Sequence, residues 1–399
     1  MVEVFDNVVR GEGIYILCLP VKWNQEDLKD IRPYIFLELF FMIAIILGTR
    51  PEIIKMSSII RECDKKQIDY FILHTGQHYS YSMDRVFFEQ LNLPNAKYNL
   101  DVGSGMHGDQ TAKMLGGIEN VLLREKPDSV LVQGDTNTVL AGALSACKLN
   151  IKVGHVEAGL RSYDRKMPEE INRVLTDHCS DYLFAPTEKS EQILLKEGIA
   201  KEKIFVTGNT VVDAVYQNLK LLKSDLLKEF GLQQKRYILV TAHRQENVDH
   251  RERFKNILDG VNLVSKELDL PIIYPIHPRS MNMIKKLGLN MNGNINFIEP
   301  LDYLSFLQLE ANAKLVLTDS GGVQEETCIL NVPCVTLRDN TERPETIEVG
   351  SNILAGTEPE MILKCARSML SRKKDWMNPF GDGKASERIV NIMIIMDME

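Results

Sequence analysis

"IAIILGTRPEIIK" (residues 43–55) decides how the chain is built. An unbroken apolar run reaches Gly48, and Pro51 follows shortly after. Such a run reads as a strand buried on both faces. Glycine permits a tight turn, and proline suits the first turn of a helix. The stretch therefore reads strand, turn, helix. Working outward, "DYFILHT" (69–75), "DSVLVQGD" (128–135), "IKVGHVEAG" (151–159), "DYLFAPT" (181–187) and "KIFVTGN" (203–209) also read as strands. Amphipathic stretches such as "AKMLGGIENVLLREK" (112–126) read as helices between them. The pattern restarts beyond residue 235 with "RYILVTAHR", "PIIYPIHP", "INFIEP", "KLVLTDSGG", "PCVTLRD" and "NILAG". Strands alternating with helices imply right-handed crossovers and parallel sheets. The expected fold class is α/β, with two Rossmann-like, doubly wound domains facing a cleft. The expected division is an N-terminal extension at 1–41, a first domain at 42–208 and a second at 209–380. The closing segment, about 381–399, reads as a helix that could belong to either domain, packing back on the first being one arrangement open to it.

Composition narrows the function. The 399 residues carry a net charge of -8, which argues against a nucleic-acid surface but leaves room for a local basic pocket. The 7 cysteines are scattered singly, without a CxxC pair, which fits a reduced, cytoplasmic setting. "IFLELFFMIAIIL" (35–47) is too short to span a bilayer and is interrupted by Glu38. No membrane partner is expected, and residues 1–41 read as an appendage to the core.

In doubly wound sheets, ligands bind beyond the carboxyl ends of the strands. Here those ends carry "GTRPE", "HTGQH", "GDTNT", "HVEAGLR", "AHRQEN", "HPRS" and "DSGGVQEE". In "TDSGGVQEE" (318–326) a strand ends, glycines follow and an acidic helix begins. Free backbone N–H groups at a helix start favour phosphate, so Ser320, Gly321 and Gly322 suit a diphosphate; an ordinary cap by Ser320 is the plainer alternative. Glu326, one turn inside, is placed to reach ribose hydroxyls. Arg50 in "GTRPE" suits an anionic group. His243 and His277 end successive strands of one sheet and point to ligand contact. Asp135, Glu157 and Glu169 come from separate elements at one cleft edge, as a reaction that removes and returns a proton requires. Neither GxGxxG nor GxxxxGK[ST] occurs, and no zinc motif such as HExxH is present. No cofactor and no metal are expected.

Taken together, "GTRPEIIK", "TGQH", "GDTNT", "HVEAGLR", "MPEEINR", "GNTVVD", "AHRQEN", "HPR", "TDSGGVQEE" and "TERPE" resemble the non-hydrolysing UDP-N-acetylglucosamine 2-epimerases in content and order. The likeness runs from about residue 42 to the C-terminus. It implies a fold like that of the GT-B glycosyltransferases and interconversion of UDP-GlcNAc and UDP-ManNAc without a redox cofactor. It also implies a catalytic set of Asp135, Glu157, Glu169 and His243. The implied UDP-binding set is Arg50, Lys55, His277, Ser320, Gly321, Gly322, Glu326 and Arg343. The expected partner is a UDP-sugar, and the expected assembly a homodimer. The alternatives are a 2-epimerase acting on UDP-2,3-diacetamido-2,3-dideoxyglucuronate and a GT-B glycosyltransferase.

Overall fold

The computed structural model describes residues 8–11, 14–17, 41–77, 81–222, 226–288 and 295–397. The rest of the 1–40 segment, together with His78 of "TGQH", lies outside the described residues. Within that segment Val8–Gly11 pairs antiparallel with Ile14–Leu17.

The chain builds two parallel sheets. The first has seven strands, in the order Tyr98–Asn99, Asp69–His74, Met42–Leu47, Ser129–Gln133, Lys152–Val156, Tyr182–Ala185, Ile204–Val206. The second has six, in the order Ile295–Ile298, Ile272–Pro275, Ile238–Thr241, Leu315–Thr318, Cys334–Thr336, Asn352–Leu354. Both are doubly wound sheets, and together they form the two-domain GT-B-like architecture. Ile43 to Leu47 are fully buried, because helices cover both faces of a parallel sheet. Phe41, which the sequence grouped with the extension, is also buried in this first core.

In each sheet the order reverses between its first strand in sequence and the fourth. In the first sheet the reversal lies between Met42–Leu47 and Ser129–Gln133; in the second, between Ile238–Thr241 and Leu315–Thr318. At such a reversal the following helices diverge to opposite faces and leave a crevice. Helix Thr210–Leu219 joins the domains. It is tied to helix Arg50–Lys66 by Arg61, whose guanidinium donates to Gln217 and to Asn218, both at 2.9 Å. The last helix, Ala385–Asp397, buries Ile389, Val390 and Met393 in the first core. Its first N–H groups, of Ala385 and Ser386, are accepted by Asp213 at 3.2 and 2.9 Å.

Candidate active site

The turn after Met42–Leu47 is packed so closely that a side chain at Gly48 would collide with Thr75 and Thr138; a Cβ would lie 2.0 Å from the Thr75 hydroxyl. Glu52, in the first turn of helix Arg50–Lys66, accepts from the backbone N–H of Gly48 at 2.6 Å and of Thr49 at 3.0 Å. The Thr136 hydroxyl donates to its other oxygen. Glu52 thus staples the two loops of the reversal together. Its burial outweighs these donors and pushes its pKa up to about 7. Arg50, beside it, pairs with Asp84 at 3.4 Å and stacks over Phe87 at 4.8 Å.

Beyond this staple lies a cavity of about 200 Å³ whose walls include Lys55, Asp135, Glu157, Arg173 and Arg343. Glu157 stands just past its strand with φ +72°, a left-handed conformation that is strained for a residue with a Cβ. There its carboxylate accepts from Lys55 Nζ at 2.6 Å and from Gln133. Arg343, from the second domain, comes within 3.7 Å of its other oxygen. The same Arg343 holds Glu325 at 2.8 Å, and Glu325 lies 3.9 Å from Lys55. Two cations and two carboxylates, mostly buried, therefore join the domains as a neutral set. Burial opposes the charges of Lys55, Glu157 and Arg343, but the opposite neighbours prevail. Lys55 and Arg343 are held above their ordinary pKa ranges, and Glu157 below its own.

Asp135 is more open, with its side chain 33% exposed, and pairs with Arg173. Arg173 also holds Glu170 at 2.8 Å. Glu170 in turn accepts from the backbone of Ser162 and Tyr163, at 2.8 and 2.9 Å, and shapes the loop that leads into helix Pro168–Cys179. Its neighbour Glu169 is exposed on the first turn of that helix and is not among the residues lining the cavity.

The reversal of the second sheet is built differently. Asp319 is fully buried and accepts from the backbone N–H of His243 and of Arg244, each at 3.0 Å to Oδ2, and from Asn247 at 3.1 Å. The His243 ring stands 3.3 Å from the same carboxylate yet is 55% exposed. Ser320 begins helix Gly321–Ile329 without a side-chain cap, so the plainer reading of that serine fails. A Cβ added at Gly321 or Gly322 would meet nothing closer than 3.7 Å. Those nearest atoms are side-chain ends, of Glu342, Arg244 and Ser320, and no backbone crowds the two glycines. His277 is exposed at the entry to helix Pro278–Lys286. Glu326 lies deeper, accepting from the Tyr303 hydroxyl at 3.0 Å. Burial raises its pKa to about 7.

The structure thus brings Lys55, Asp135, Glu157 and Arg343 around one cavity, and it gathers His243, Ser320, Gly321 and Gly322 at the other reversal. Reading the sequence did not single out Glu325, Gln133, Glu52 or Arg173. Of these, Glu325 carried a signal, since "EE" in "VQEE" offers two carboxylates and only the second was weighed.

A sequence model of the family UDP-N-acetylglucosamine 2-epimerase matches residues 61–394. The UDP-N-acetylglucosamine 2-epimerase of Methanocaldococcus jannaschii is 60% identical over 359 residues, covering 88% of this chain and 98% of that one. The crystal structure of the M. jannaschii UDP-GlcNAc 2-epimerase in complex with UDP-GlcNAc and UDP superposes with a TM-score of 0.79, covering 89% of this chain and 100% of that one. The UDP-2,3-diacetamido-2,3-dideoxy-D-glucuronate 2-epimerase of Pseudomonas aeruginosa is 42% identical, covering 88% of this chain and 99% of that one.

Proposed function

The chain belongs to the UDP-N-acetylglucosamine 2-epimerase family, and from that premise we propose that it interconverts UDP-N-acetylglucosamine and UDP-N-acetylmannosamine by inverting C2 of the sugar. The observation that carries the reading is the cavity shared by Asp135 and Glu157 of one domain and Arg343 of the other. The C2 proton has no carbonyl beside it and is not acidic. Breaking the C1–O bond first sends the electron pair away with UDP and leaves C1 electron-poor. The C2–H bond then gives its electrons to a C1=C2 double bond, and the proton passes to a carboxylate. Return of a proton to the opposite face of C2, with UDP oxygen attacking C1, yields the epimer. Overall, no atom is gained or lost.

The residues divide between these tasks. Lys55, Arg50 and Arg343 supply positive charge for the diphosphate, as does the helix start at Ser320 to Gly322. His243 contacts the diphosphate, while His277 and Glu326 complete the UDP contacts. Glu157, kept ionised between two cations, suits stabilisation of the electron-poor sugar and is poorly suited to carrying a proton. Asp135 and Glu169, the less enclosed carboxylates, are the proton carriers.

Enzyme incubated with UDP-N-acetylglucosamine in heavy water is expected to place deuterium at C2 of both sugars. Epimer formed without label would overturn the proton-transfer reading. The 42% relative supports a second reading, in which the substrate is UDP-2,3-diacetamido-2,3-dideoxyglucuronate. The higher identity to the M. jannaschii enzyme favours UDP-N-acetylglucosamine, and parallel assays of the two nucleotide sugars separate the readings.

A further inference from the structure

His155 interrupts the apolar strand Lys152–Val156, and the chemistry described above gives it no task. Its ring is fully buried. Nδ1 lies 2.6 Å from Asp177 Oδ1, and Nε2 lies 2.8 Å from the carbonyl oxygen of Gly134. Both partners are acceptors. A neutral imidazole has one donor and one acceptor nitrogen, so one of these short contacts would set lone pair against lone pair in the protein interior. With Asp177 held ionised by its contact with Arg161, only a ring bearing both protons satisfies both contacts.

The surroundings are arranged for that charge. Asp177 is fully buried, and its second oxygen takes Arg161 Nη1 at 2.7 Å and the Gly159 N–H at 3.2 Å. Arg161 continues to Glu197 through two contacts, of 2.9 and 2.6 Å. The series His155, Asp177, Arg161, Glu197 alternates in sign and sums to zero when the ring is cationic. A buried charge without such compensation would be costly.

The position of the ring matters more than its charge. Gly134 directly precedes Asp135 and has φ +88°, a left-handed turn that glycine makes without strain and that a residue with a Cβ would resist. The Gly134 N–H donates to Val156 at 3.1 Å, and its carbonyl takes the proton of His155. Both backbone polar groups of Gly134, one in each flanking peptide, are therefore tied to the strand whose next residue is Glu157. We propose that His155 is a positioning residue for this reaction, a buried imidazolium that fixes the Gly134–Asp135 turn against the strand end at Glu157 and so sets where Asp135 stands over the sugar. This rests on the reading of Asp135 as a proton carrier.

Two measurements on the full chain test it. The first is independent of the reaction. Protein labelled with ¹⁵N-histidine at pH 7.5 is expected to show one ring with a proton on each nitrogen, and that ring is assigned by its loss in His155→Gln. A ring with one bare nitrogen overturns the imidazolium. The second compares variants. Gln extends its amide towards the Nε2 position and retains a donor for Gly134, whereas the shorter Asn falls at the Nδ1 position and does not. His155→Asn is expected to lower kcat tenfold or more, with UDP affinity within twofold of wild type. His155→Gln is expected to retain at least fivefold more kcat than His155→Asn. Equal kcat in the two variants, or loss of UDP binding together with kcat, overturns the positioning role and makes the ring a structural element only. Wild-type enzyme that epimerises without C2 exchange would sink the proton-carrier reading while leaving the imidazolium standing.

Discussion

Asp135 and Asp319 stand just past corresponding strands of two sheets wound in the same order, yet their surroundings differ. Asp135 projects into the cavity and keeps a third of its side chain open, with Arg173 as its partner. Asp319 is fully enclosed and spends its oxygens on the N–H groups of His243 and Arg244 and on Asn247. The first arrangement leaves a carboxylate available for chemistry. The second uses a carboxylate to shape the loop that leads to Ser320 and its glycines. On the proposed reading the same topology serves a reacting side and a binding side, and the local hydrogen bonding separates the two.

The largest expected effect tests that division directly. Asp135→Asn should lower kcat by about a hundredfold or more, the usual worth of a positioned proton carrier, with UDP affinity nearly unchanged. Asp319→Asn should do the reverse. Each hydrogen bond to a charged acceptor is worth about 1.5–3 kcal/mol, so losing part of this set should loosen the His243 and Ser320 loops and weaken UDP binding more than tenfold. Titration calorimetry alongside turnover assays reads both. If both variants lose affinity equally, the contrast between the two sides is wrong.

A second test concerns the charges that join the sides. Lys55→Met removes a cation from the proposed diphosphate site and should weaken UDP binding about tenfold, or about 1.4 kcal/mol. Glu325→Gln leaves Arg343 with less compensation. Without ligand it should cost stability, up to about 3 kcal/mol for a broken buried pair. UDP, itself an anion, should then raise the melting temperature of Glu325→Gln by more than it raises that of wild type. An equal rise in both would mean that Glu325 does not compete with the ligand for these cations.

How much of this was legible in the sequence follows from the physics of each feature. Strands such as Met42–Leu47 announce themselves because both faces are buried and the run is unbroken. Residues at strand ends, Asp135 and Glu157 among them, could be grouped because a doubly wound sheet collects them at one edge. Glu325 was missed because adjacent helical residues point about 100° apart, and which one meets the cleft depends on helix phase. That phase sends Glu325 to Arg343 and Lys55, and it sends Glu326 inward to Tyr303. Arg173 was likewise hidden, since its partner Asp135 lies in another strand–turn unit and only the folded chain brings them together.

Glu52 sharpens the comparison through pH. Its folded pKa of about 7 lies above the ordinary 4.5, so the native state holds its proton more tightly than the unfolded chain does. The stabilisation is complete below about 4.5 and is lost as pH rises through about 7. The melting temperature of wild type relative to Glu52→Gln should therefore fall as pH goes from 4.5 to 7.5. The total loss should be at most about 3 kcal/mol, from the worth of each pKa unit. A difference that is flat with pH would mean that the three donors around Glu52 keep it ionised throughout.

The smallest expected effect lies at the rim. Lys189 of the first domain and Glu348 of the second also form a cross-domain pair, at 3.2 Å, but both side chains are more than half exposed. Water screens such a pair, and ordering two long side chains offsets most of the attraction, so its worth is about 0–1 kcal/mol. The inner set differs in both respects, because Lys55, Glu157, Glu325 and Arg343 are mostly shielded from water and constrain one another. Lys189→Met should accordingly leave kcat, UDP affinity and melting temperature within error of wild type, at low and at high salt. A measurable rise in KM that grows as salt is lowered would show that the rim steers domain approach or substrate entry. The buried set would then no longer be sufficient to account for how the two sides are brought together.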